Sequence, residues 1–383
     1  MKIGILTLPL NTNYGGILQA YALQTTLSRL GHEVTIINRT YPLPTFKIKC
    51  RRILTMLKAI YKLLIKRDKD YRVMNPFNNK FTNRSGHTIL PFVKEFIKMS
   101  PVIYTSDELT NYIRFMNFDC CIVGSDQVWR KSYSPQITDY FLDCITDHMK
   151  VKRVAYAASF GIDEWEYDAE LTSKISILLN KFDAVSVREK SGVDLCKDFL
   201  GIEVKCVLDP TLLLTKHDYM RLYNNTLYNK VSYKSKMMCY LLDRNQDAFK
   251  IINQISKVKG YIPLFSKLYG HTSEYSLQMS VEEWLKAIAE SELIITDSFH
   301  ACVFSIIFEK PFIVIGNTSR GITRIQSLLN DYELQNRLVV SYENFVLLQD
   351  ELLKENNIDY EKVSKIINER IDYSRNFLIN SIN

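Results

Sequence analysis

One five-residue run concentrates polar chemistry in this chain: Thr296-Asp297-Ser298-Phe299-His300. It follows the apolar segment Leu293-Ile294-Ile295 and precedes a second apolar stretch of helical character. The spacing predicts a buried strand that turns into a helix. Thr296, Asp297 and Ser298 are all residue types that cap helix starts. A helix begun there aims free backbone N–H groups and a partial positive charge at whatever sits above the strand end. Phosphates and other anions bind at such places. His300 falls in the first turn, beside that anion, and imidazole is the side chain suited to exchanging protons near neutral pH. The bare pattern fits a capped helix with an incidental surface histidine equally well.

The elements that position this run share one grammar: a β-branched strand, a polar or Gly-containing loop, then a helix. Lys2–Leu8 is a strand ending in the loop Pro9–Gly16, with a helix at Ile17–Leu30 closed by Gly31. Glu33–Asn38 is the next strand. Asp119–Val123 leads into Gly124-Ser125-Asp126-Gln127-Val128-Trp129, and Val151–Ala157 into Ala158-Ser159-Phe160-Gly161. Ala184–Val187 leads into Arg188-Glu189, and Val204–Leu208 into Asp209-Pro210-Thr211. A second unit begins near Leu212, with strands at Met237–Leu242, Pro263–Phe265, Leu293–Thr296 and Pro311–Ile315. Helices are expected at Val281–Ser291, Ser298–Phe308 and the tail. This is an α/β chain with parallel sheets and helices on both faces. Ligands of such sheets bind at the carboxyl ends of the strands, so these loops are the candidate site.

The bulk numbers agree with two such units. At 383 residues, 46% hydrophobic and 24% charged, each half can bury a core. The expected division is 1–211, 212–359 and a helical tail, 360–383, packing back on the first unit. Eight cysteines form no C-x-x-C pair and read as reduced structural thiols. No His, Asp and Glu cluster has metal-ligand spacing, so neither metal nor cofactor is expected. The start, MKIGILTLPL, reads as a strand and not a secretion signal, and no segment is apolar enough to span a bilayer. A cytoplasmic location follows as the expectation. The net charge of +7 is local: residues 47–72 hold ten Lys or Arg against Asp68 and Asp70. Within them Arg51–Arg67 is amphipathic, with Ile53, Leu54, Leu57, Ile60 and Leu64 opposite Lys58, Lys62 and Lys66. It either packs on the core or lies on an anionic membrane face, making the protein peripheral there. Nucleic acid is a poorer match, because the segment offers few stacking rings.

Six motifs together carry a resemblance. NTNYGGILQAYAL, VGSDQVW, YAASFG, SVREKSG, VLDPTLLL and TDSFHACVFSIIFEKPFIVI resemble, in order, the polysaccharide pyruvyl transferase family. The resemblance implies a GT-B-like fold, two Rossmann-like domains facing across a cleft. It implies transfer of a pyruvyl group from phosphoenolpyruvate, as co-substrate, to a sugar of a cell-surface polysaccharide. The product is a ketal and phosphate is released. The acceptors of such pathways are often lipid-linked oligosaccharides.

That chemistry assigns roles. The donor carries a phosphate and a carboxylate, so it needs cations and aimed N–H groups. Ser298, Phe299 and His300 supply the helix start, Arg188 a two-pronged cation, and Arg320 and Arg324 further charge. His300 is the candidate general acid toward the donor's methylene carbon. Asp126 is either a base for a sugar hydroxyl or the cap of a helix at Gln127–Trp129. Asn13, Tyr14, Gly15, Gly16 and Gln19 on the first loop are expected to face the acceptor, with Ser125, Asp126, Gln127, Trp129 and Ser159. Trp129 is either a sugar-stacking ring or core, and Asp209-Pro210 is read as shaping the interdomain connection. Arg188-Glu189 has the alternative of a surface ion pair. Two other functions remain: a GT-B glycosyltransferase using a nucleotide sugar, and a non-catalytic glycan-binding member.

Overall fold

The computed structural model describes residues 1–42, 85–224, 231–243, 245–267, 279–316, 322–355 and 358–383. The basic segment 47–72 and Arg320 lie outside the described residues. Among the described residues, no helix is long and apolar enough to cross a membrane.

Two parallel sheets organise the chain. The first holds β1 (Lys2–Leu6), β2 (Glu33–Ile37), β3 (Cys120–Val123), β4 (Lys152–Ala158), β5 (Ala184–Val187) and β6 (Lys205–Cys206), in the order β2-β1-β3-β4-β5-β6. The second holds β7 (Lys236–Tyr240), β8 (Ile262–Lys267), β9 (Leu293–Thr296), β10 (Phe312–Ile315) and β11 (Leu338–Val339), in the order β11-β10-β9-β7-β8. In each sheet the first strand lies between the second and the third. The winding therefore reverses there, and the reversal opens a crevice above the strand ends.

The strands read as apolar runs because both faces are covered. Ile3, Ile5, Ile122 and Val154 point one way; Leu6, Cys121, Val123 and Ala155 point the other. The inward sets of the two sheets join. Ile3, Ile5 and Val154 belong to the same buried cluster as Met238, Ile294 and Val314. The outer faces carry separate cores, around Trp129 and Phe141 in the first half and around Ile252 and Phe345 in the second.

Four helices matter to the site: α1 (Tyr14–Arg29), α2 (Phe299–Ile307), α3 (Ile322–Asp331) and α4 (Tyr360–Ile382). Helix α1 begins three residues before the expected Ile17. The Asn13 side chain accepts the Gly15 N–H at 3.1 Å and caps the helix there, which puts Gly15 and Gly16 in the first turn and not in a loop. No helix forms at Gln127–Trp129. Turns take its place, with the Val128 N–H on Asp126 O and the Trp129 N–H on Ser159 O. Helix α4 crosses back from the second half. Leu208 N–H donates to Ser374 Oγ at 3.0 Å, Lys152 Nζ to Ile382 O at 3.0 Å, and Arg375 Nη2 to Leu213 O at 2.8 Å.

Candidate functional site

The polar residues at the strand ends converge between the two sheets. Arg188 follows β5 and Asp209 follows β6; His300 stands in the first turn of α2, after β9. Arg188 Nη1 donates to Asp209 Oδ2 at 2.7 Å. His300 Nε2 lies 3.5 Å from the same oxygen, in ion-pair range but short of a formed hydrogen bond. Ser125 Oγ, after β3, is 3.4 Å from it too. The other Asp209 oxygen accepts Thr211 N–H at 3.0 Å and Thr211 Oγ1–H at 2.7 Å. One carboxylate thus ties a guanidinium from the first sheet to an imidazole from the second.

Two further carboxylates enclose Arg188. Asp126 Oδ1 is 3.5 Å from Nη2, and Glu189 Oε2 is 3.6 Å from Nε. All these side chains are buried. The guanidinium also lies over the Phe299 ring, 4.3 Å from its centroid, while Arg324 on α3 approaches that ring at 5.9 Å. Burial works against the Arg188 charge, yet Asp209, Asp126 and Glu189 together push its proton affinity above the usual arginine value. Burial likewise opposes ionisation of Asp209, but the His300 and Arg188 charges prevail and hold its carboxyl far below the ordinary range. Arg324 goes the other way. Burial, and then the repulsion of Arg188, bring it down to about 10.

The start of α2 differs in detail from a simple capped helix. Asp297 turns its carboxylate to Leu242 N–H at 2.7 Å and Asp243 N–H at 3.2 Å, beyond the end of β7. Thr296 Oγ1 donates to Tyr240 O at 2.6 Å and accepts Ser298 N–H at 3.0 Å. Ser298 occupies the cap position, but its side chain makes no capping bond. Asp297 and Thr296 therefore brace the strand-to-helix turn, and among the described residues no side-chain capping bond from Ser298 meets the first N–H groups of α2.

The model of one family, polysaccharide pyruvyl transferase, matches residues 13–319, most of the chain and every residue just described except Arg324. The chain belongs to the polysaccharide pyruvyl transferase family. No curated protein matches it by sequence. Solved structures similar to it include the UDP-GlcNAc 2-epimerase of Neisseria meningitidis bound to UDP-GlcNAc. That structure is 10% identical, with a TM-score of 0.53 over 100% of this chain and 99% of that one. The UDP-GlcNAc 2-epimerase of Methanocaldococcus jannaschii is 13% identical, with a TM-score of 0.52 over 97% of this chain and 100% of that one. At such identities the likeness speaks for the fold alone, the two-sheet GT-B arrangement.

Within this family member, the residues singled out from the sequence fall into two groups. His300, Arg188, Asp126, Phe299 and Arg324 come together around Asp209, with Ser298 at the cap position of α2 just before them. Ser125 and Ser159 stand at the edge of the cluster; Ser159 Oγ donates to Glu189 Oε1 at 2.6 Å. The second group makes contacts within the fold. Trp129 is fully buried, stacked on Phe141 at 5.1 Å, with Nε1 donating to Tyr140 O. It offers no face to a sugar. Tyr14 is also fully buried; it stacks on Trp284 and donates its hydroxyl to Met279 O, joining the two halves. Gln19 is a buried brace between Thr7 Oγ1 and Ser125 N–H. Gln127 Oε1 accepts from Arg130 Nη1 at 3.2 Å. Asn13 caps α1 through its Oδ1 and is exposed.

Gly15 makes a close approach, but to protein: a Cβ there would stand 2.1 Å from His300 Nδ1. At Gly16 a Cβ would meet only ordinary contacts. The Arg188-Glu189 pair is buried, so it is no surface ion pair. Asp209 is the residue that sequence reasoning missed. It stands at a strand exit like the others, and that position was the available signal. Pro210 beside it suggested a connector instead.

Proposed function

We propose that this protein transfers the pyruvyl group of phosphoenolpyruvate to a sugar of a cell-surface polysaccharide precursor, as a ketal, with release of phosphate. The observation that carries the reading is the meeting of His300 with the Arg188–Asp209 pair at the start of α2. The donor side is residues 212–359 and the acceptor side residues 1–211. His300 delivers a proton to the donor's methylene carbon, which becomes a methyl group and leaves the central carbon electrophilic. A sugar hydroxyl attacks that carbon, phosphate leaves, and a second hydroxyl closes the ketal. Of the two hydroxyl protons released, one replaces that given by His300 and the other leaves with phosphate. Arg188, Arg324 and the N–H groups of α2 offset the donor's negative charge. Asp126, beside Arg188, is the acceptor-side base. No metal or further cofactor enters the scheme.

The test is incubation with phosphoenolpyruvate and candidate glycosides, read by mass spectrometry for the pyruvyl addition and by phosphate release. His300→Ala should abolish ketal formation while phosphoenolpyruvate still raises the melting temperature. Near-normal turnover in that variant would remove His300 from the role of acid. Stabilisation by a nucleoside diphosphate, and none by phosphoenolpyruvate, would favour a glycosyltransferase.

The reading extends to a lipid-linked acceptor met at an anionic membrane face through residues 47–72. The support is their charge, ten Lys or Arg against two Asp. The protein should sediment with anionic liposomes at low salt and not with neutral ones. Failure to do so removes the membrane from the proposal.

A further inference from the structure

The hub of the cluster is a buried carboxylate with both oxygens engaged by neighbouring groups. Asp209 Oδ2 is the oxygen that His300 Nε2 faces at 3.5 Å and that Arg188 Nη1 holds at 2.7 Å. Nε2 is sealed from solvent, so the 6% of His300 that remains exposed belongs to its other atoms. On the opposite side of the ring, Nδ1 lies close against Gly15, where a Cβ would overlap it at 2.1 Å. The two nitrogens therefore meet different surroundings: a carboxylate at one, and the bare backbone of Gly15 at the other.

We propose that Asp209 is a positioning residue that fixes His300 as the Nε2–H tautomer, so that the proton transferred in the reaction leaves from Nδ1 once Gly15 of α1 draws back from the ring. The proposal rests on the reading of His300 as the acid. Its physical basis is simple. An ionised carboxylate only accepts hydrogen bonds, so an Nε2 lone pair aimed at it would be repelled, and an Nε2–H is attracted. Asp209 is held ionised by the charges around it. With Nε2 committed, the imidazolium has one proton to give, at Nδ1. It passes to the methylene carbon as a new C–H bond, and the Nδ1 lone pair remains. Asp209 keeps the ring in place throughout and never takes the proton.

Asp209 also braces Arg188, so the test must separate its two partners. Ring ¹⁵N NMR of the histidine-labelled protein reads the tautomer directly, and His300→Gln assigns the signal among the six histidines. The expected result for neutral His300 in the unsubstituted protein is Nε2–H. An Nδ1–H form overturns the proposal, whatever the reaction proves to be. In Asp209→Asn one of the two accepting oxygens becomes an NH₂ group, which cannot receive Arg188, Thr211 and His300 together. The Nε2–H population should fall, and kcat should drop about 10²-fold, the scale of a displaced general acid. If kcat holds and only the KM for phosphoenolpyruvate rises, Asp209 acts through Arg188 alone and the proposal fails. If the unsubstituted protein forms no ketal, the reaction reading fails, while the tautomer still decides whether Asp209 fixes the ring. Should Asp209→Asn not fold, the measurement on the unsubstituted protein stands by itself.

Discussion

A methyl group placed on Gly15 would sit 2.1 Å from His300 Nδ1 and 2.2 Å from its Cγ. No rotamer shift of a flexible chain end can relieve that overlap, because the ring is packed between Phe299, α1 and Asp209. Gly15→Ala should displace the imidazole from its place beside Asp209. Misplacing a reacting group by about 1 Å can cost about 10²-fold in rate, while overpacking costs about 1–3 kcal/mol of stability. Turnover should therefore fall far more than folding does, as read by ketal formation and by denaturant midpoint. Gly16→Ala, with only van der Waals neighbours, is the control and should leave turnover near normal. The glycines at 15 and 16 are visible in the sequence as a place of close approach. What approaches them is not, since the contact is made across the two halves. Asp209 was hidden for a similar reason. A carboxylate before a proline looks like a turn until three other strand ends are brought around it.

At the scale of elements, local signals were legible where the chain decides locally. Leu293–Thr296 has the predicted bounds because four apolar or β-branched residues stand between polar breaks. Helix α1 was misplaced at its start because Asn13 is a cap as well as a candidate ligand, and periodicity alone does not reveal which role wins. The short helix expected after Gly124 gave way to turns, where Asp126 O accepts from both Val128 and Ser159. Helix α4 can be tested directly. Its Leu378 is fully buried, in the same core as Ile3 and Val154 of the first sheet. Leu378→Ala should cost about 2–5 kcal/mol by the usual balance of lost transfer energy and residual cavity. Chemical denaturation checks the value. A loss under about 1 kcal/mol would mean that the helix end is not part of the cooperative unit.

At the scale of the whole molecule, the two halves are clasped at more than one point by depressed carboxylates. Arg188, Asp209, Phe299 and Arg324 line a cavity of ≈ 20 Å³, room for about one water, so a larger ligand reaches them only as the surrounding elements part. One clasp is Asp209 between Arg188 and His300. Another is Asp218, which accepts Arg29 Nη2 at 2.6 Å and Nη1 at 3.2 Å, joining the end of α1 to the helix Lys216–Asn224. The Arg29 hydrogen bonds outweigh burial and pull the Asp218 carboxyl well below its ordinary value. An unfolded aspartate titrates near about 3.9. A carboxyl depressed on folding contributes stability above that value and loses it as the pH falls toward the folded one, because the unfolded chain then binds more protons. Acidification from about pH 5 to about pH 3 should therefore lower the unfolding midpoint. Asp218→Asn removes one of these titrations, so its midpoint should start lower near pH 6 and fall less steeply on acidification. Phosphoenolpyruvate release, followed on the same samples, should become faster with acidification in the parent protein if parting of the halves admits the ligand. Equal slopes in parent and variant would show that the Arg29–Asp218 clasp is screened by solvent and that acid acts elsewhere in the fold.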